Sequence, residues 1–329
     1  MIKLKKYLKQ KTFNKRLLMV RYNAKKISFL RSFLFLYPIM KIINLFERQK
    51  RTFSFEFFPP KDYLTAVKFG INAGQLMSLK PSFVSITYGA GGSSHDHTFE
   101  LVKFFQNELK FTCMAHYTVI GASREKIRRD MQALQEMGVE NVMLLRGDPP
   151  KGSETFPENP EGFNHASDLI QFVKDNFDFC VGGAAYPEKH IEAPSMEVDL
   201  ENLHKKVDAG ADFLITQMFF ENNYYWEFMD KVIKRGIKTR VIPGIIPITS
   251  FTQIKRFAEI SGARIPAQIE ETMSRIKDNR EAVYREGLNI AKQQSVELLQ
   301  KGAPGIHVFT LNKSRAAIDL YNHIPKNYR

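Results

Sequence analysis

The sequence predicts an α/β fold, a closed (β/α)8 barrel, on three observations. Eight short runs rich in Val, Ile, Phe and Thr recur between residues 52 and 311. Amphipathic helical patterns separate most of them, the alternation that builds a parallel sheet. Eight such units in roughly 280 residues match a barrel in length. An open doubly wound sheet is the runner-up, weakened because no G-x-G-x-x-G follows the first run.

The runs are TFSFEFF (52–58), SFVSITYG (82–89), FTCMAHYTV (111–119), NVMLLRG (141–147), FCVGGAAY (179–186), DFLITQMFF (212–220), RVIPGII (240–246) and IHVFTL (306–311). Helical periodicity covers 63–79, 97–108, 124–137, 165–176, 199–209, 224–234 and 250–260, and one longer stretch over 266–299. Gly138 and Gly210 stand where two of these helices should end, the position at which a left-handed residue closes a helix.

Charge divides the chain. Residues 1–51 hold 15 Lys or Arg and one acid, Glu47, while the remaining 278 residues are nearly neutral. The body therefore carries no basic surplus for nucleic acid. We read residues 1–50 as a basic, partly apolar extension and 51–329 as a single catalytic domain. The longest uncharged run of the extension, Ser32 to Met40, is nine residues, too short to span a bilayer. It also lacks the small-residue cleavage site of a signal peptide. A transit peptide would fit the lack of acids but not the Lys and Phe; we favour a translation start at Met40, with a membrane-surface helix as the main rival. Two cysteines, Cys113 and Cys180, exclude a disulfide framework and a Cys-rich zinc site, and suit a reducing, cytoplasmic setting.

In such a barrel the active site lies at the C-terminal strand ends. Polar residues crowd those ends: Glu56, Thr87-Tyr88-Gly89-Ala90, His116, Arg146-Gly147-Asp148, Tyr186, His190, Gln217 and Phe309-Thr310. Buried polar groups cost free energy unless partnered, so packing alone does not account for them. Glu56 lies among Phe53, Phe55, Phe57 and Phe58. Desolvation there would raise its pKa and suit it to general acid catalysis. A structural carboxylate paired with Lys or Arg is the alternative. Gly89-Ala90-Gly91-Gly92 is either a plain turn or a loop open to a phosphate. His95-Asp96-His97 reads as a helix start and not as a metal cluster, because i, i+2 spacing shares no helix face. No HExxH, Walker loop or nucleophile elbow is present, and no metal is expected.

Seven segments in order, FSFEFFPPK (53–61), SITYGAGGS (85–93), LLRGDPP (144–150), AAYPEKHIEA (184–193), DLENLHKKVDAGADFLITQMFF (199–220), PGIIPI (243–248) and FTLNKS (309–314), resemble the methylenetetrahydrofolate reductases. The resemblance implies a flavoprotein barrel. It implies ping-pong reduction of 5,10-methylenetetrahydrofolate to 5-methyltetrahydrofolate with FAD and NADH or NADPH, feeding methionine synthesis. It implies a homodimer or homotetramer, without nucleic-acid partners and without membrane contact through the leader. Matched by position, Glu56 resembles the general acid and Asp148 the residue that contacts the pterin and tunes the flavin. Thr87, Tyr88, Ala90, His116, Leu145, Arg146, Gly147, Asp148, His165, Ala166, Tyr186, His190, Asp199, Asn202, Lys205 and Lys206 resemble the cofactor side. Gln217, Gln253, Phe257, Leu311 and Lys313 resemble the substrate side. Lys205, Phe309 and Lys313 stand where Arg, Tyr and Arg are common in the family. A flavin-free barrel enzyme of folate or C–C bond chemistry is the alternative.

Overall fold

The computed structural model describes residues 39–88, 95–147 and 159–329, with only the backbone described for 95–97. The first element is a short helix, α1 (Ile42–Arg48). Then follow β1 (Thr52–Phe57), α2 (Tyr63–Met77), β2 (Phe83–Ile86), α3 (His95–Lys103), β3 (Cys113–Thr118), α4 (Arg124–Glu136) and β4 (Asn141–Leu145). The second half holds α5 (Ala166–Asn176), β5 (Cys180–Ala185), α6 (Met196–Asp208), β6 (Phe213–Thr216) and α7 (Asn222–Lys234). It ends with β7 (Arg240–Ile242), β8 (Gly244–Ile245), α8 (Phe251–Ser261), α9 (Ala267–Ile276), α10 (Arg280–Gln300), β9 (Gly305–Phe309) and α11 (Ser314–His323).

All strand pairs are parallel, in the order β7-β6-β5-β4-β3-β2-β1-β9-β8. β7 and β8 are the halves of one run, split at Pro243, which has no N–H to give the ladder. β7 pairs with β6 and β8 with β9, so this run closes the ring. The closure is tight. Gly244 N–H donates to Thr216 Oγ1 at 2.9 Å. A Cβ on Gly244 would lie 2.4 Å from the Thr216 carbonyl and 2.6 Å from the Phe309 ring, so only glycine fits.

The expected helices form, with local reasons. Asp62 and Thr65 make a capping box on α2, and Ser123, Ser195 and Asn279 cap α4, α6 and α10. Gly138 and Gly210 take φ of 78° and 103° at the ends of α4 and α6. The stretch over 266–299 divides into α9 and α10, because Asn279 starts a new helix by accepting from Ala282 N–H. A π-helical turn, Phe104–Glu108, follows α3.

Period-two alternation builds two cores. Phe55 and Phe57 face the helices, with Phe57 edge-on to Phe69 at 5.6 Å. Phe83, Met114, Met143, Cys180, Phe213, Ile215 and Ile242 form a second cluster inside the barrel. Met40, Ile42, Leu45 and Phe46 join that inner cluster. The segment 40–48, placed by sequence within the extension, thus packs into the N-terminal end of the barrel. Asn141 holds it there, accepting from Ile42 N–H at 2.6 Å and donating to the Met40 carbonyl at 3.1 Å. Phe46 packs edge-on against Phe213 at 5.6 Å, and the Arg240 guanidinium covers its other side at 4.4 Å. Among the described residues, no helix is long and apolar enough to cross a membrane.

Candidate active site

Glu56 is the last inward-facing residue of β1, two residues after Ser54, and is 7% exposed. Two imidazoles flank it: Oε2 lies 3.7 Å from His116 Nε2 and 3.6 Å from His307 Nε2. Its ionisable neighbours among the described residues are thus histidines, where the sequence alternative expects Lys or Arg. His307 is held from behind. Ser54 Oγ lies 2.8 Å from His307 Nδ1, and Phe83 stacks on the ring at 6.0 Å. Ser54, His307 and Glu56 thus form a hydroxyl–imidazole–carboxyl row along the inward face. Burial lowers the His116 pKa to about 4, with Glu56 opposing and His307 adding to the shift, so His116 is neutral at pH 7.

Two buried polar atoms at these strand ends, His116 Nε2 and Thr87 Oγ1, have no hydrogen-bond partner among the described residues. Among the described residues no trio of His, Cys, Asp or Glu is placed to hold a metal.

Moving round the ring, β4 and β5 supply a cationic corner. Arg146 extends past β4 and pairs with Glu192 at 2.6 Å. Lys206, on α6, donates to the Ala184 carbonyl at 2.6 Å and lies 5.6 Å from the Tyr186 ring centre. His190 meets that ring edge-on at 4.7 Å, and its backbone N–H donates to Asp199 at 3.1 Å. Burial lowers the Lys206 pKa to about 8 against the pull of Asp199. Burial raises that of Asp199 against the pull of Lys206, and lowers that of His190 with Arg146 adding. The two partners are thus desolvated by more than their attraction offsets, and an added anion would favour the ammonium.

The other side of the mouth is apolar. Phe257, on α8, packs in a cluster with Met218, Phe220, Ile246, Ile248, Phe309 and Leu311. Gln217 sits beside it just after β6, its Oε1 accepting from Met218 N–H at 2.9 Å. Leu311 and Lys313 line a pocket with Pro247, Thr249, Phe309 and Thr310. Gln253 is half-buried at the start of α8.

Thr87, Tyr88, His116, Leu145, Arg146, Gly147, Tyr186, His190, Asp199 and Lys206 lie at or against the ends of β2 to β5. His165 and Asn202 are exposed, and Ala166 opens α5. Lys205 is exposed on α6 and pairs with Glu201 one turn earlier. Ala90 and Asp148 lie outside the described residues. Sequence reasoning passed over His307, Ser54 and Ser85, whose Oγ lies 3.5 Å from His307 Nε2. The signal was the alternation in FSFEFF and IHVFTL, which puts Ser54 with Glu56 and His307 with Phe309 on one face.

The sequence model of the family described as methylenetetrahydrofolate reductase matches residues 41–325. The 5,10-methylenetetrahydrofolate reductase of Escherichia coli (strain K12) is 38% identical over 261 residues, 79% of this chain and 86% of that protein. Methylenetetrahydrofolate reductase (NADH) 1 of Arabidopsis thaliana is 36% identical over 85% of this chain, which spans about half (49%) of the plant protein. A solved structure of an uncharacterized protein from Clostridium thermocellum, described as binding two copies of 5-methyl-5,6,7,8-tetrahydrofolic acid, superposes with a TM-score of 0.59. It shares 17% identity, and the match covers 86% of this chain and 96% of that one, which supports the fold alone. A family match over residues 41–325, with a relative 38% identical over 79% of the chain, makes this chain a member of the methylenetetrahydrofolate reductase family.

Proposed function

We propose that the protein reduces 5,10-methylenetetrahydrofolate to 5-methyltetrahydrofolate, using FAD and NADH or NADPH in a ping-pong cycle. The observation that carries this reading is the buried Glu56 flanked by His116 and His307 at the mouth. Opening the methylene-bridged ring requires a proton on the bridge nitrogen, and a positioned carboxyl can deliver it. His307, held by Ser54, stands beside that carboxyl and bounds its side of the mouth. His116, neutral at pH 7, places no positive charge beside that carboxyl.

The residues present fit FAD. Thr87 Oγ1 and His116 Nε2 are buried without hydrogen-bond partners among the described residues, and the Lys206 ammonium stands in an environment that a diphosphate would relieve. Lys206 and Arg146 would hold the phosphates, Tyr186 and His190 the space beside them, and Asp199 a ribose or adenine donor. The chemistry FAD supplies when bound is hydride acceptance from the nicotinamide and hydride donation to the folate. The apolar wall of Phe257, Met218 and Leu311 would shelter a pterin from water, with Gln217 and Gln253 giving polar contacts at its edge. Asp148 belongs to the same proposal as a pterin contact.

The test is direct. The purified protein is expected to be yellow, to bleach anaerobically with NADH or NADPH, and to recover its colour on adding methylenetetrahydrofolate. A colourless protein that binds no flavin on titration would favour a flavin-free barrel enzyme instead.

A further inference from the structure

The β1/β9 ladder pairs Glu56 with Phe309 and ends there. Beyond that point, side chains from 310–312 take over the hydrogen bonding. Thr310 Oγ1 donates to the Glu56 carbonyl at 2.6 Å. Asn312 N–H donates to the same Thr310 Oγ1 at 3.1 Å. The Asn312 side chain then grips Phe58 by both main-chain groups: Phe58 N–H donates to Oδ1 at 2.9 Å, and Nδ2 donates to the Phe58 carbonyl at 2.8 Å. An amide side chain thereby continues the ladder for one more residue. The backbone is bent to allow it, with Leu311 and Asn312 both left-handed at φ of 50° and 59°. Left-handed backbone is tolerated by Asn and costly for Leu, and such costs persist where the surrounding structure enforces them. That enforcement is visible: Ser314 Oγ donates to Asn72 Oδ1 at 2.7 Å, pinning the far side of the turn to α2.

We infer that Asn312 is a positioning residue for folate reduction. It fixes the chain on the exit side of Glu56 and so sets the depth and direction of the carboxyl in the mouth. The inference rests on Glu56 as the proton donor. It explains why a polar side chain is spent on the main chain of Phe58, an exposed residue whose own packing needs no such restraint.

Asn312→Gly is the discriminating variant, because glycine adopts φ near 59° without strain but has no amide to grip Phe58. The expected result is a folded, flavin-loaded enzyme with unchanged melting temperature. Flavin reduction by the nicotinamide should stay within about twofold, and reoxidation by methylenetetrahydrofolate should slow roughly 10- to 100-fold, as for a misplaced catalytic group. Hydrogen exchange at the Phe58 amide should accelerate, a readout independent of activity. In a Glu56→Gln background the same change should add no further loss. Asn312→Asp retains the bond from Phe58 N–H and should recover part of the rate, and it serves if the glycine variant is unstable. Normal folate-dependent reoxidation in Asn312→Gly, with Glu56→Gln impaired, overturns the inference and leaves the Glu56 reading standing. Normal reoxidation in Glu56→Gln itself overturns that reading instead.

Discussion

The two ends of the barrel are built by opposite rules. At the N-terminal end α1 fills the interior with Ile42, Leu45 and Phe46, and Asn141 satisfies the polar groups that the plug buries. At the C-terminal end a buried carboxyl faces two histidines, and Leu311 and Asn312 are left-handed. Both ends hold buried polar atoms with no hydrogen-bond partner among the described residues, Arg51 Nε, Thr52 Oγ1, Thr112 Oγ1, Glu140 Oε2 and Arg240 Nη1 below and His116 Nε2 and Thr87 Oγ1 above. The ends differ in what fills them: an apolar plug at one, a carboxyl and two imidazoles at the other. The plug closes the bottom by apolar packing, and the mouth keeps titratable side chains facing one another. Conservative changes should therefore cost stability at the bottom and activity at the top.

The largest expected effect is at the bottom. Phe46→Ala removes a ring packed between Phe213 and Arg240, and should cost about 3–5 kcal/mol, as for other buried aromatics cut to alanine. A chain starting at Met40 should fold and hold flavin like the full one, and a chain starting at Arg51 should not. Urea unfolding of the three proteins measures this. A stable Arg51 protein would mean that the barrel closes without its plug.

Next in size is Glu56→Gln at the mouth. Flavin reduction should proceed at near wild-type rate, and folate reduction should fall at least about 100-fold for loss of a general acid. Melting temperature should barely move, in contrast with Phe46→Ala. Single-turnover traces of both half-reactions on one preparation separate the cases. Equal impairment of both would mark Glu56 as structural.

Lys206→Ala should be smaller, weakening flavin binding by about 1–3 kcal/mol through loss of a charge-assisted contact. The pH dependence sharpens it. The folded pKa of about 8 lies below the unfolded value, so the unfolded chain binds more protons above pH 8. Apoprotein stability from this group therefore rises with pH through that window, and is not fully present below it. Flavin affinity should run the other way, falling above about pH 8 as the ammonium deprotonates. Fluorescence titration of FAD against pH tests this, and a flat profile shared by wild type and Lys206→Ala would place the diphosphate elsewhere.

Smallest of all is Lys205→Ala. Its partner is Glu201 on an exposed helix face, so the expected change in stability is within about 0.5 kcal/mol. Flavin affinity should shift little beside that of Lys206→Ala. An effect equal to that of Lys206→Ala would mean that Lys205 swings into the site when flavin binds.

The contrast between these neighbours shows what a sequence can and cannot say. Both lysines match the cofactor side in the family pattern, yet helical phase turns one toward β5 and the other to solvent. The division of 266–299 was within reach, because Asn279 is a recognisable cap, but continuous apolar periodicity hid it. Helix α11 passed unread beneath the strand-like FTL segment before it. The role of 40–48 had no local signature at all. A seven-residue helix is marginal alone, and it forms here because the barrel end offers an apolar surface and Asn141.

The sequence by itself determined the alternation of strands and helices, the closing glycines, and a carboxyl among aromatics at the end of the first strand. Those are local properties, written in the spacing of side chains along a few residues. Only the tertiary structure decided that His307 meets that carboxyl and that Asn312 meets Phe58. Ser54 and His307 are 253 positions apart, and Phe58 and Asn312 are 254 apart. Nothing between them in the chain specifies the meeting. It follows from ring closure, which sets the last strand beside the first in one register and so turns two distant alternations toward the same interior.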